Sequence, residues 1–169
     1  SFLLRFWELL RGLLVMSKPD RVVLTMGTFD ILHSGHIFLF EQCRKIAGPN
    51  GEVTVTANSD EFVKKYKGQY PAQNIDDRLA VLQSIKHIDY VETLTSQEDT
   101  ESMINYVFDY PTADRFMVIG SDWAPPKDYP KQLGVDEGFF VRNGISLLYI
   151  PRTDEHSSTN IKNRVRNSV

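Results

Sequence analysis

The sequence predicts an α/β fold of three layers, α/β/α, built around a parallel five-stranded sheet. Three observations lead there. Short apolar, β-branched runs alternate with segments of helical periodicity, the pattern of strands joined by helical crossovers. The first run ends in a glycine, then a short loop and a helix follow, as in sheets that bind ligands beyond the carboxyl ends of their strands. The chain has 169 residues, 41% of them hydrophobic, enough for one domain with a substantial core. Nothing along it reads as a repeat, a low-complexity tract or a linker to a second domain.

The chain opens on "SFLLRFWELLRGLLV". Ser1, Arg5, Glu8 and Gly12 recur at helical spacing, and Phe2, Leu3, Phe6, Leu9, Leu10, Leu13 and Leu14 cover much of the rest. Residues 1–15 therefore read as an amphipathic helix. It is too short and too charged to span a bilayer, and its charges interrupt any signal-peptide apolar core. Met16 reads as the start of the domain, 16–169. The leader is then an upstream extension or a tag, or a helix docked on its own domain, on a dimer mate or on a membrane surface.

"RVVLTMG" (21–27) reads as a buried strand, and "SGHIFLFEQCRKIAG" (34–48) as a helix through Ile37, Phe40, Cys43 and Ile46 that stops at Gly48. "EVTVTAN" (52–58) is the next strand. "SDEFVKKYKG" (59–68) starts on a serine cap with acids in its first turn and ends basic, as a helix should. "NIDDRLAVLQSI" (74–85) is a helix capped by Asn74, "YVETL" (90–94) a strand, and "DTESMINYVFDY" (99–110) a helix halted by Pro111. "RFMVIG" (115–120) and "ISLLYI" (145–150) complete the strands, and "STNIKNRVRNS" (158–168) is a terminal helix. The Pro- and Gly-rich stretch 121–144 is expected to be an irregular surface excursion or flap beside a strand end. The whole is Rossmann-like.

The formal net charge is -3, which gives no case for nucleic-acid binding. The single cysteine, Cys43, excludes an internal disulfide and fits a reducing compartment, so a cytoplasmic location is expected.

Chemistry concentrates in "GTFDILHSGH" (27–36). It is the first strand-to-helix loop, at the carboxyl edge of the sheet. A helix N-terminus presents unpaired N–H groups and a positive dipole end, a ready site for phosphate. Gly35 lets a ligand approach the backbone, and His33 and His36 can donate to the same anion. Such donors suit a nucleotidyl transfer, in which charge builds on the α-phosphate and on the leaving pyrophosphate. Two histidines three apart could also serve one metal, but a lone cysteine and no H-E-x-x-H give zinc little support. A second cradle stands at the chain's end. Ser157, Ser158 and Thr159 begin the last helix, and Arg152, just after the last strand, can reach a phosphate or a base.

"GTFDILHSGH" resembles the G-x-F-D-x-x-H-x-G-H signature of the cytidylyltransferase-like nucleotidyltransferases. "PRTDEHSSTNIKNRV" (151–165) resembles their closing R-T-x-G-I-S-T-T/S-x-I-x-x-R motif, and "GSDW" (120–123) their G-D-D-W segment. The likeness runs from about Arg21 to Val165 and is nearest to glycerol-3-phosphate cytidylyltransferases. The chain departs at Glu155-His156 for Gly-Ile, at Ser121, at Lys86 where relatives carry arginine, and in a longer segment after Trp123.

The resemblance implies the following roles. Gly27, Thr28, Phe29, His33, Gly35, His36, Asp122, Trp123, Arg152, Thr153, Ser157, Ser158 and Thr159 bind the nucleotide, Phe29 mainly by packing. His33, His36, Lys65, Lys67 and Arg152 carry the chemistry, with Lys65 or Lys67 as the lysine at the triphosphate and the second substrate. Asp30, Lys67 and Arg78 meet the acceptor. For Asp30 the alternative is orienting His33, and for Arg78 it is pairing with a nearby acid. The expected reaction transfers CMP from CTP to a phosphorylated alcohol, foremost glycerol 3-phosphate, with Mg²⁺ on the triphosphate and a homodimer as the assembly. The rival readings are an adenylyltransferase of the same superfamily acting on a sugar phosphate or phosphopantetheine, and a nucleotide-binding regulatory subunit without turnover. A class I aminoacyl-tRNA synthetase shares the H-x-G-H chemistry, but no K-M-S-K-S-like loop is present.

Overall fold

The computed structural model describes residues 18–151 and 158–168. The leader 1–15 and the segment holding Arg152, Thr153 and Ser157 lie outside them. Five strands, β1 (Arg21–Gly27), β2 (Glu52–Asn58), β3 (Tyr90–Leu94), β4 (Asp114–Gly120) and β5 (Ile145–Ile150), form one sheet in the order β3-β2-β1-β4-β5. All four pairings are parallel. This is the expected α/β, Rossmann-like sheet. β1 lies at its centre, and Val22, Val23, Leu24 and Thr25 are all buried, as a strand covered on both faces requires.

The helices are α1 (Ser34–Ala47), α2 (Asp60–Lys67), α3 (Ile75–Gln83), α4 (Thr100–Val107), α5 (Tyr129–Leu133), α6 (Phe139–Arg142) and α7 (Ser158–Arg166). Their ends follow local chemistry. The Ser59 hydroxyl accepts from Phe62 N and opens α2, and Gly68, at φ 76°, closes it. The Asn74 side chain accepts from Asp77 N and opens α3. On one face of the sheet, Phe40, Cys43 and Ala47 of α1 and Leu82 of α3 pack on Val23, Val53, Val55, Ala57 and Val118. Burial pushes the Cys43 thiol up to about 12, so it is a packing group and not a nucleophile.

The other face corrects an expectation. Residues 121–144 are not an irregular flap. They contain a 3₁₀ turn (Ser121–Trp123) and helices α5 and α6. Tyr129, Leu133, Val135, Phe139 and Phe140 are buried in one cluster with Val22, Leu24, Ile104 and Met117. The prolines and glycines are helix punctuation: Pro130 stands in the first turn of α5, Gly134 ends it at φ 76°, and Gly138 precedes α6. Among the described residues, no helix is long and apolar enough to cross a membrane.

Candidate active site

The sheet opens at its topological switch point. β1 and β4 pair from Arg21↔Asp114 only to Leu24↔Met117. On their outer sides β1–β2 pairing continues to Gly27↔Ala57 and β4–β5 pairing to Gly120↔Ile150. The carboxyl halves of β1 and β4 thus part, and a cleft of about 550 Å³ occupies the gap. This is where parallel sheets bind ligands. At its floor, Thr25 Oγ1 is buried with no hydrogen-bond partner among the described residues. An unsatisfied buried hydroxyl is costly, and a ligand oxygen or nitrogen would relieve it.

The loop after β1 is held in an unusual shape. Phe29 and Ile31 have φ of 51° and 50°, which non-glycine residues adopt only under constraint. Phe29 is buried against Phe40 and, edge-on, against His36. Gly27 makes room for it, because a Cβ there would lie 3.1 Å from the Phe29 ring.

The two histidines cap α1. His33 Nδ1 accepts from Gly35 N (3.2 Å), and His36 Nδ1 accepts from His33 N (3.3 Å). Together they form a reciprocal capping box. A nitrogen that accepts a backbone N–H carries no proton, so each neutral ring holds its proton on Nε2. The rings stack with centroids 3.9 Å apart, and both line the cleft. The arrangement sets two Nε2–H donors beside a helix N-terminus, a disposition suited to stabilising negative charge that grows on phosphate oxygens.

The structure brings Gly27, Thr28, Phe29, Asp30, His33, Gly35, His36, Lys67, Asp122, Trp123 and Thr159 to the cleft wall. Trp123 packs at a tilt of 47° on the buried Tyr129, with ring centroids 5.9 Å apart. Ser158 is the first residue of α7.

Three of the expected substrate-side residues are placed elsewhere or tied up. Arg78 is fully buried behind the site. It donates to Thr28 O (2.6 Å), Asn58 O (2.8 Å), Gln73 O (3.0 Å) and Asp60 Oδ1 (2.6 Å). Of its two alternatives, the structure takes the pairing with an acid. Lys65 faces solvent and pairs with Glu98 at 3.6 Å. Its neighbour Lys67 is the lysine at the cleft, donating to Thr28 Oγ1 at 3.2 Å. A helix turns about 100° per residue, so two positions apart cannot share a direction. Lys67→Ala is expected to lower kcat/KM about ten-fold or more, the range for one charge-assisted hydrogen bond. Lys65→Ala should stay within about two-fold, as for an exposed ion pair. Steady-state kinetics on both variants checks this.

Asp30 is buried at the cleft wall. It accepts from Ala72 N (2.8 Å) and Gln73 N (3.0 Å) and pairs with Lys162 of α7. Burial works against its charge, but the Lys162 ammonium and the two backbone N–H groups outweigh it and hold the carboxyl below its ordinary value of 3.8. A depressed folded pKa stabilises the protein fully above the ordinary value, and that stability is lost as pH falls through the folded pKa. Urea midpoints between pH 6 and pH 2 should therefore drop less steeply on the acid limb for Asp30→Asn than for the wild type. Parallel limbs would refute the assignment.

Sequence reasoning missed Asn58, Tyr66, Lys162, Asn163 and Arg166, all at the cleft. Tyr66 Oη lies 2.6 Å from Thr28 Oγ1 and accepts from Asn58 Nδ2. The signal for the others was in the chain. Thr159, Lys162, Asn163 and Arg166 fall at i, i+3, i+4 and i+7, one polar stripe on α7.

A family model described as cytidylyltransferase-like matches residues 24–164. The chain belongs to the cytidylyltransferase-like family. It is accordingly a nucleotidyltransferase. The glycerol-3-phosphate cytidylyltransferase of Bacillus subtilis (strain 168) is 31% identical over 145 residues, 85% of this chain and 95% of that protein. The FAD synthase of Korarchaeum cryptofilum (strain OPF8) is 28% identical over 150 residues, 89% of this chain and 95% of that protein. Among solved structures, the lipopolysaccharide core biosynthesis protein of Thermoplasma volcanium GSS1 shares the fold, with a TM-score of 0.57 at 22% identity over 79% of this chain and 98% of that one. In this nucleotidyltransferase the opened switch point and the histidine cap occupy the segment that the family model covers.

Proposed function

We propose that the protein transfers CMP from CTP to a phosphorylated alcohol of the glycerol 3-phosphate kind and releases pyrophosphate. The observation that carries the reading is the histidine cap: two rings whose Nδ1 atoms are committed to the α1 backbone and whose Nε2–H groups serve a phosphate at the sheet's switch point. An oxygen of the acceptor's phosphate attacks the α-phosphorus of CTP, a new P–O bond forms, and the bond to the β-phosphate breaks with its electrons leaving on pyrophosphate. No covalent enzyme intermediate and no general base are needed, since the attacking phosphate is already ionised. His33 and His36 stabilise charge on the transferring and leaving phosphates, and Lys67 aligns the two substrates. Arg152, Thr153, Ser157, Ser158 and Thr159 close over the triphosphate in this reading, and Asp122 and Trp123 border the nucleoside.

Mg²⁺ enters with the triphosphate. Among the described residues no three His, Cys, Asp or Glu side chains gather into a metal site. That donor set fits an ion held chiefly by phosphate oxygens and water, with Asp30 and Asp122 the carboxylates on the cleft wall. When bound, it neutralises charge on the pyrophosphate.

The FAD synthase relative supports a second reading, adenylyl transfer from ATP to a phosphorylated alcohol. The base decides between them. Pyrophosphate release measured with each nucleoside triphosphate against a panel of phospho-alcohols should favour CTP by about ten-fold or more, the discrimination one well-placed hydrogen-bonded contact supplies. Equal or better turnover with ATP overturns the cytidylyl reading in favour of the adenylyl one.

A further inference from the structure

Among the described residues, the lysines and arginines lining the cleft are Lys67, Lys162 and Arg166, and all three lie on the wall made by α2 and α7. The facing wall lines the cleft with Gly120, Asp122, Trp123, Tyr129, Gln132 and Leu133, and its nearest cation, Lys127, lies over the Trp123 ring. Among the described residues, the cations that can meet the substrates' anionic groups therefore stand on the α2–α7 side. The three cations are not equivalent. Lys162 is neutralised by the buried Asp30 carboxylate. Lys67 sits on the Thr28 hydroxyl, at the end of β1 and close in chain to the histidine cap. The Arg166 guanidinium forms no hydrogen bond or ion pair among the described residues, and the residue is exposed.

Arg166 also stands farthest out. It lies one helical turn beyond Lys162, about 6 Å further from the N-terminal end of α7. There it belongs to two hollows at once. The second, about 400 Å³, is bounded by Ile31, Gln69, Tyr70, Ile161, Val165 and Arg166 and adjoins the main cleft through Gln69, Tyr70, Lys162 and Arg166. A phosphate reacting beside His33 and His36 lies within reach of Lys67. Arg166 meets whatever the acceptor carries beyond that phosphate.

We propose that Arg166 is an acceptor-specificity residue, and that the preferred acceptor bears a second anionic group, a carboxylate or phosphate, beyond the phosphate that reacts. This rests on the reading of the site as a nucleotidyl transfer to a phosphorylated alcohol. A guanidinium in an open position matches such a group bidentately, which a neutral diol cannot exploit.

Two probes differ in the feature that matters: glycerol 3-phosphate, with a terminal hydroxymethyl, and 3-phosphoglycerate, with a carboxylate in its place. Calorimetric titration of each into the full chain, without nucleotide, gives their Kd ratio. The wild type should bind 3-phosphoglycerate about ten-fold or more tightly than glycerol 3-phosphate. Arg166→Gln should bring the ratio near one, and Arg166→Lys should leave it between. Because residue 166 is exposed, neither variant endangers the fold. Equal binding of the two probes by the wild type, failure of both to bind, or a ratio that survives Arg166→Gln overturns the proposal. Nucleotide choice is read separately, from pyrophosphate release. Absence of release with CTP would reject the cytidylyl reading, and the Kd ratio would still decide the role of Arg166.

Discussion

His33→Ala and His36→Ala are each expected to lower kcat by about 10²–10³-fold, the cost of removing one preorganised donor from the transition state. Alanine removes two things at once, however, because each ring also caps α1. Loss of the His33 Nδ1 acceptor leaves Gly35 N without its partner, and loss of the His36 ring does the same to His33 N. A missing cap costs about 1 kcal/mol. Asparagine separates the two roles at position 33. Its Oδ1 can accept from Gly35 N as the imidazole does, but nothing then reaches the position of Nε2–H. His33→Asn should therefore melt close to the wild type and still lose about 10²-fold or more in kcat. Steady-state rates and thermal melts on the same preparations check this. An asparagine variant with near wild-type turnover would mean that the rings act only as caps.

The sheet was legible because parallel central strands must be apolar on both faces, and runs such as "RVVLTMG" and "EVTVTAN" have no other good use. β1, β2, β3 and β5 have the bounds expected from sequence, and β4 begins one residue earlier, at Asp114. The 121–144 segment was misjudged because α5 and α6 are too short to show helical periodicity. Their punctuation, Pro130, Gly134 and Gly138, looks like loop composition until Tyr129, Leu133 and Phe139 are seen buried beneath it. In the site, the histidines announced themselves by their position at a strand-to-helix junction. The partner of a charge was harder to read. Asp30 meets Lys162 across 132 positions of sequence, and no local pattern records such a pairing. The two lysines of α2 were indistinguishable by composition, and only the helix's orientation sends Lys67 inward and Lys65 out.

Arg78 is expected to matter to stability and not to substrate binding. Its guanidinium is fully buried and bridges four separate pieces of chain: the residue after β1, the end of β2, the first turn of α2 and the loop before α3. Arg78→Met would leave Thr28 O, Asn58 O and Gln73 O without their side-chain donor and the partly exposed Asp60 carboxylate without its cation, holding only Ile75 N. At about 1 kcal/mol or more for each acceptor left without a donor, the loss is about 3 kcal/mol or more, which for a domain of this size lowers Tm by roughly 6 °C or more. Arg78→Lys keeps the charge, but one compact ammonium cannot span acceptors that a planar five-donor fork reaches together, so it should recover only part of the loss. A residue that touched substrate would behave in the opposite way, raising KM while melting like the wild type. Urea and thermal unfolding, with acceptor KM measured on the folded fraction, tell the two apart. A wild-type melt for Arg78→Met would return Arg78 to the substrate. A large destabilisation would show that the strand ends carrying the histidine loop are set from behind, by an arginine the reaction never meets.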